Sequence, residues 1–128
     1  MQEVKDMIAK YSKLLPIGNI ACSFTEAEKR AGLFLEAMAE ITNLRHEFSS
    51  IKIKELSTQT AVYAQELAKG TAKTMTENKV TAEASKEYTE AREALERSEN
   101  DLTYLKAYYD IFQNAHIFYR NVSKGEQY

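Results

Sequence analysis

The chain is short of the residues that break or staple a backbone. One proline and four glycines are too few for a fold rich in turns, so most of the length must lie in long elements. A single cysteine, Cys22, excludes an intrachain disulfide framework and a cysteine-based zinc site, and it fits a reducing compartment. No apolar run approaches the roughly 20 residues that a membrane span needs. A charge excess is missing too. Against 19 Asp and Glu stand 17 Lys and Arg, for a net charge of −2, which exerts no global pull on nucleic acid or anionic membrane. A polyanion site would have to be a local basic cluster, or one assembled by oligomerisation. The opening Met1-Gln2-Glu3-Val4-Lys5-Asp6 is mixed in charge and lacks the apolar core of a signal peptide, so the expected location is cytoplasmic.

What is present is helical periodicity. Hydrophobic residues are 44% and charged residues 28% of 128 residues, ordinary values for one soluble domain. Val4, Met7, Ile8, Tyr11, Leu14 and Leu15 recur at helical spacing and predict a short amphipathic helix over about 2–15. Pro16 and Gly18 end it. The following loop, 16–23, carries Ile17, Ile20 and Cys22 and is apolar enough to be tucked against something. Thr25 and Glu28 have the spacing of a capping box, with Phe24 placed for a hydrophobic staple. No cluster of breakers then appears until Gly70. The segment 25–69 reads as one helix, or two nearly collinear ones, roughly 65 Å long at 1.5 Å per residue. A helix of that length needs a partner along it.

The seam of this second helix begins Phe34, Ala37, Ile41, Leu44, Phe48, Ile51. Continued in register it reaches Glu55 and Thr58, which are polar, while the apolar line resumes as Leu56, Thr60, Tyr63 and Leu67. The seam slips by one position, a change that alters supercoiling locally, and a kink near 51–56 would fit it. Gly70, suited to the position just past a helix end, opens a basic, threonine-rich turn over 70–78, where Thr76 or Asn78 can cap the next helix. That third helix is expected over 79–121, before a frayed tail at 122–128. Its seam is Tyr88, Ala91, Leu95, Ser98, Leu102, Leu105, Tyr109, Phe112, His116 and Tyr119, a three-four alternation with a period of about 3.5 residues. The expected fold is a single all-α domain: a short N-terminal helix plus a long antiparallel two-helix hairpin with a coiled-coil-like seam. Tyr104, Tyr108, Ile111, Ile117 and Phe118 lie off the seam and widen the apolar stripe. The first helix or another protomer would cover them, and a homo-oligomer is expected.

Catalytic signatures are absent: no Gly-rich phosphate loop, no Gly-x-Ser-x-Gly elbow, no His-Glu-x-x-His. A di-iron bundle needs Glu-x-x-His pairs, but His46 follows Asn43 and His116 follows Gln113 by that spacing. In a hairpin turning near 72, His116 falls opposite about residue 28 and His46 opposite about residue 98, far from each other. The acids Glu83, Glu87, Glu90, Glu93, Glu96, Glu99 and Asp101 alternate with Lys86, Arg92 and Arg97, which reads as a solvated face laced with helical ion pairs. Cys22 has no positioned histidine to make it a nucleophile. His116 on the seam reads as a packed, hydrogen-bonded imidazole or as a pH-sensitive contact. No enzyme, cofactor or metal is expected.

Two groupings remain. Lys52 and Lys54 late in the second helix, with Lys69, Lys73 and Lys79 around the turn, read either as a phosphate-contacting tip or as a soluble loop with lysines. Tyr104, Tyr108, Tyr109, Phe112, Phe118 and Tyr119, with Lys106 and Arg120, could stack single-stranded bases, but helical spacing favours core or subunit interface.

In order and pattern of elements the chain resembles the phage recombination mediator family. The matching stretches are 31–54, the connection Thr71-Ala72-Lys73-Thr74-Met75-Thr76, and 80–120, where Val80-Thr81-Ala82-Glu83 leads into a helix ending Ala115-His116-Ile117-Phe118-Tyr119-Arg120. The resemblance implies a small helical protein that oligomerises through its C-terminal helix, binds single-stranded DNA, and contacts a recombinase and a single-strand binding protein in the host cytoplasm. Only Lys52, Lys54, Lys69, Lys73 and Lys79 fit phosphate contact, and the mildly acidic chain has fewer basic residues than a dedicated DNA binder. The competing expectation is a helical protein–protein interaction module, an adaptor or small inhibitor without nucleic-acid binding.

Overall fold

A computed structural model describes residues 1–17 and 22–125. Among them the chain is all-α, with four helices: α1, Gln2–Ser12; α2, Phe24–Ala68; α3, Met75–Glu83; and α4, Lys86–Ser123. They form two compact units. One comprises Met1–Arg45 and Tyr104–Tyr128, the other His46–Thr103. Both α2 and α4 contribute to each.

The helix boundaries follow local hydrogen bonding. Ser23, not Thr25, caps α2: its Oγ accepts from the Glu26 N–H at 3.1 Å. Ser23-Phe24-Thr25-Glu26 is itself a Ser-x-x-Glu run, and the earlier cap adds further residues to the helix. The predicted staple does not form, because Phe24 is 63% exposed. The helix assignment of α2 continues without a break through 51–56. The predicted third helix is two. Thr74 caps α3 by accepting from the Glu77 N–H at 3.2 Å, and α3 stops at Glu83. Ser85 then accepts from the Tyr88 N–H at 3.1 Å and starts α4. A serine side chain offers the backbone an alternative to the helical ladder, and here that alternative is used. The first helix ends at Ser12, followed by turns. In the loop beyond it Ile17 is 77% exposed rather than tucked away, and Cys22 is half-buried. Ile20 and the end of the tail, 126–128, lie outside the described residues.

In the first unit α1 buries Val4, Ile8 and Tyr11, α2 buries Ala27, Ala31, Phe34, Ala37 and Ile41, and α4 buries Leu105, Phe112, Ala115 and Tyr119. The small side chains of Ala27, Ala31 and Ala37 on the buried face of α2 leave room for the aromatic rings. Phe34 lies 5.4 Å from Phe112 and 5.9 Å from Tyr119, the latter nearly parallel, and Tyr11 meets Phe112 edge-on at 6.0 Å. Such pairs add about 0.5–1.5 kcal/mol each beyond the area they bury. The polar ends of these rings are satisfied. Tyr119 donates to the Leu14 carbonyl at 2.6 Å and accepts from Arg30 Nη1 at 3.3 Å. Tyr11 donates to Glu40 at 3.1 Å, and burial, reinforced by the Glu40 charge, raises its phenol pKa. His116, half-buried, donates from Nδ1 to the Ala31 carbonyl at 2.8 Å, close to the residue that hairpin counting places opposite it. A carbonyl only accepts, so this bond fixes the proton on Nδ1.

The second unit has a much thinner core: Ala82, Ala91, Leu95 and Ser98. Its part of α2, 46–68, contributes no buried residue. Tyr63 packs on Tyr88 at 5.5 Å, and Ser98 donates to Glu55 at 2.8 Å. Glu55 therefore continues the original seam register of α2 toward α4, which shields its polarity with a hydroxyl partner. The acidic face of α4 carries the expected helical pairs, Lys86–Glu90 and Arg92–Glu96, both at 3.9 Å.

Replacing Tyr119 by Phe keeps the ring but strands the Leu14 carbonyl. The expected loss is about 1–2 kcal/mol of stability in urea unfolding. Tyr119→Ala, which also empties the aromatic cluster, should cost about 3–5 kcal/mol.

Candidate functional site

All five candidate lysines fall in the second unit. Lys69 and Lys73 stand on the connection between α2 and α3, and Lys79 stands on α3. Those three and Lys54 are exposed, whereas Lys52 is half-buried. Among them only Lys69 is in an ion pair, with Glu66 at 3.0 Å. That hydrogen bond and charge raise its pKa, so its ammonium stays protonated, but the pair occupies it locally. Glu55, the carboxylate nearest in sequence to Lys52 and Lys54, is turned to Ser98 instead. Glu77 sits in the first turn of α3, where it offsets the positive end of the helix.

The connection is held by Asn78. Its Oδ1 accepts from the Ala72 N–H at 3.0 Å, and its Nδ2 donates to the Ala72 carbonyl at 3.4 Å. Asn78 thus clamps the turn rather than capping a helix. Gly70 is not in a left-handed conformation, since among the described residues Gly125 alone has positive φ. Its role is steric. A Cβ at Gly70 would stand 2.5 Å from Asn78 Oδ1, so the glycine makes room for the clamp. The threonine-rich connection is therefore a built turn that displays Lys69 and Lys73.

The aromatic grouping does not offer a stacking platform. Phe112 and Tyr119 are buried in the first unit, and Tyr104, Tyr108, Tyr109 and Phe118 are half-buried. Tyr104 and Tyr108 pack on each other at 5.0 Å, and Tyr108 packs on Phe112 at 5.8 Å. Burial raises the pKa of Tyr104. Lys106 is taken up by Asp110 at 2.6 Å, and the Arg45 guanidinium lies 5.8 Å over the Tyr109 ring. Of the remaining seam residues, Leu95 and Leu105 are buried, and Tyr88, Leu102 and His116 are half-buried.

A feature the periodicity only hinted at is an open apolar groove in the first unit. It is lined by Leu15, Pro16, Ile17, Ile111, Ile117 and Phe118, among others, with a volume of about 630 Å³. Among the described residues that line it, Asn114 alone has a polar side chain. Among the described residues no group of three or more His, Cys, Asp or Glu could hold a metal ion, and no helix is long and apolar enough to cross a membrane.

The fold and its surfaces define an all-α helical-hairpin protein with an aromatic core. The sequence matches no family model, and no curated protein or solved structure matches it.

Gly70→Ala should drive Asn78 out of its clamp and cost about 1–3 kcal/mol. The two residues act as one unit, so Gly70→Ala should add little in an Asn78→Ala background. A double-mutant cycle by thermal unfolding measures that coupling.

Proposed function

We propose that this chain is a non-enzymatic accessory protein of DNA recombination and replication. In this reading it oligomerises, binds single-stranded DNA weakly and assists the loading of a recombinase. The observation that supports the reading is the lysine group of the second unit. Lys54, Lys69, Lys73 and Lys79 are exposed, and three of them have no ion-pair partner. An oligomer would repeat this group, and phosphate neutralisation by each copy adds affinity that no single copy needs to supply. Arginines and buried bidentate geometry are absent from the group, which fits backbone tracking rather than base readout. The resemblance to phage recombination mediators points the same way.

A second reading, a helical protein–protein module without nucleic-acid affinity, is favoured by the apolar groove of the first unit, where Ile17 is 77% and Ile111 41% exposed. Exposed apolar surface of this kind is a common mark of a protein interaction site.

Fluorescence anisotropy separates the two. A labelled single-stranded oligonucleotide should bind at low salt, more tightly than duplex, and weaken steeply with added salt. In the Lys69→Glu, Lys73→Glu, Lys79→Glu triple variant affinity should fall by about tenfold or more, and the salt slope should drop by about two units. Equal binding by the triple variant would remove the lysines from the site. No binding by the parent chain at low salt would leave the interaction module.

A further inference from the structure

The seam slip in α2 marks a change of partner. In the second unit Phe48, Glu55 and Val62, which continue the original register of α2, are half-buried, whereas Ile51 and Thr58 of the same register are exposed. The apolar line that resumes beside them does not follow. Ile53 is 68% and Leu56 49% exposed, and Thr60 is exposed as well. Tyr63 and Leu67 are half-buried. Ile53, Leu56, Thr60, Tyr63 and Leu67 keep the three-four spacing that fits a helix laid lengthwise. The chain thus carries a second coiled-coil seam, which meets α4 at Tyr63, packed on Tyr88 at 5.5 Å, and lies open at Ile53, Leu56 and Thr60.

We propose that this seam packs against the same seam of a second copy of the chain. Two observations select that occupant. The spacing demands a helix running along α2. The side of α2 flanking the seam away from α4 carries Ser50, Ser57, Ala61, Ala64 and Ala68, and no charged residue lies anywhere in 56–65. Over 56–65 two copies can therefore bring the same face together without opposing like charges, and the small side chains there let the backbones approach. The exposed face of α4, dense in Glu87, Glu90, Glu93 and Glu96, would repel its own copy instead. The contact would also supply 46–68 with the buried partners that the single chain does not give it. It lies away from the aromatic end of α4, where subunit contact was expected from the sequence, and it does not depend on any binding to DNA.

Sedimentation equilibrium of the parent chain should give at least twice the chain mass, and Ile53→Glu with Leu56→Glu should sediment as a monomer. A parent chain that is monomeric at its highest soluble concentration overturns the proposal, as does a double variant that associates like the parent. Should the double variant fail to fold, a second experiment decides. In a Cys22→Ser background, Thr60→Cys should form a disulfide-linked dimer under mild oxidation, because Thr60 faces its own counterpart at the middle of the seam. Glu93→Cys on α4 should not. Cross-linking no faster at Thr60 than at Glu93 overturns the proposal.

Discussion

The hydroxyl of Tyr119 is the constraint around which the first unit is organised. The ring is fully buried, and a buried hydroxyl without a partner costs about 1–3 kcal/mol. Its partners come from the turn after α1 and from α2: the Leu14 carbonyl and the Arg30 guanidinium. Satisfying one oxygen therefore fixes the end of α1 and a turn of α2 against α4 at once. The stacking of Tyr119 on Phe34 and the bond from His116 to Ala31 one turn earlier use the same helix faces. A helix of 11 residues is too short to be stable by itself. Here α1 persists because Val4, Ile8 and Tyr11 are buried and its exit is hydrogen-bonded.

No comparable constraint governs the second unit. Its core has one large aliphatic side chain, Leu95, with two alanines and a serine. The Ser98–Glu55 bond specifies which faces meet, but a polar contact of this kind adds little net stability. The turn is well built and the core is sparse, so the second unit can present lysines in a defined place while leaving Ile53, Leu56 and Thr60 of α2 exposed. The proposed self-association and the proposed phosphate contact use different residues of this unit, and each would order it further by mass action.

The architecture was legible because long helices write their packing into residue spacing. The three-four pattern of α4 identifies faces that are buried or half-buried at every seam position, and counting back from a turn near 72 brings His116 close to Ala31. The missed features are decided by competition between near-equal local options. Ser23 and Thr25 both have a glutamate three residues on, and only the extra helical residues distinguish them. Ser85 breaks the predicted third helix with no proline or glycine to announce it. Asn78 reads as a cap by residue type, yet its amide matches the Ala72 peptide group across the turn, and Gly70 is explained by that match rather than by backbone handedness. The lysine group was legible as composition. Which of its members are ion-paired was not, because Glu55 is diverted by Ser98, a residue distant in sequence.

The central claim is that stability resides in the first unit and that the second depends on a partner. Hydrogen exchange read amide by amide, on the chain at low and at high concentration, tests it directly. The account predicts strong, concentration-independent protection in 24–45 and 104–123. Protection in 46–68 should be weak in dilute protein and rise with concentration. Equal protection of both units in dilute protein would contradict it, since the sparse core of the second unit would then be sufficient alone.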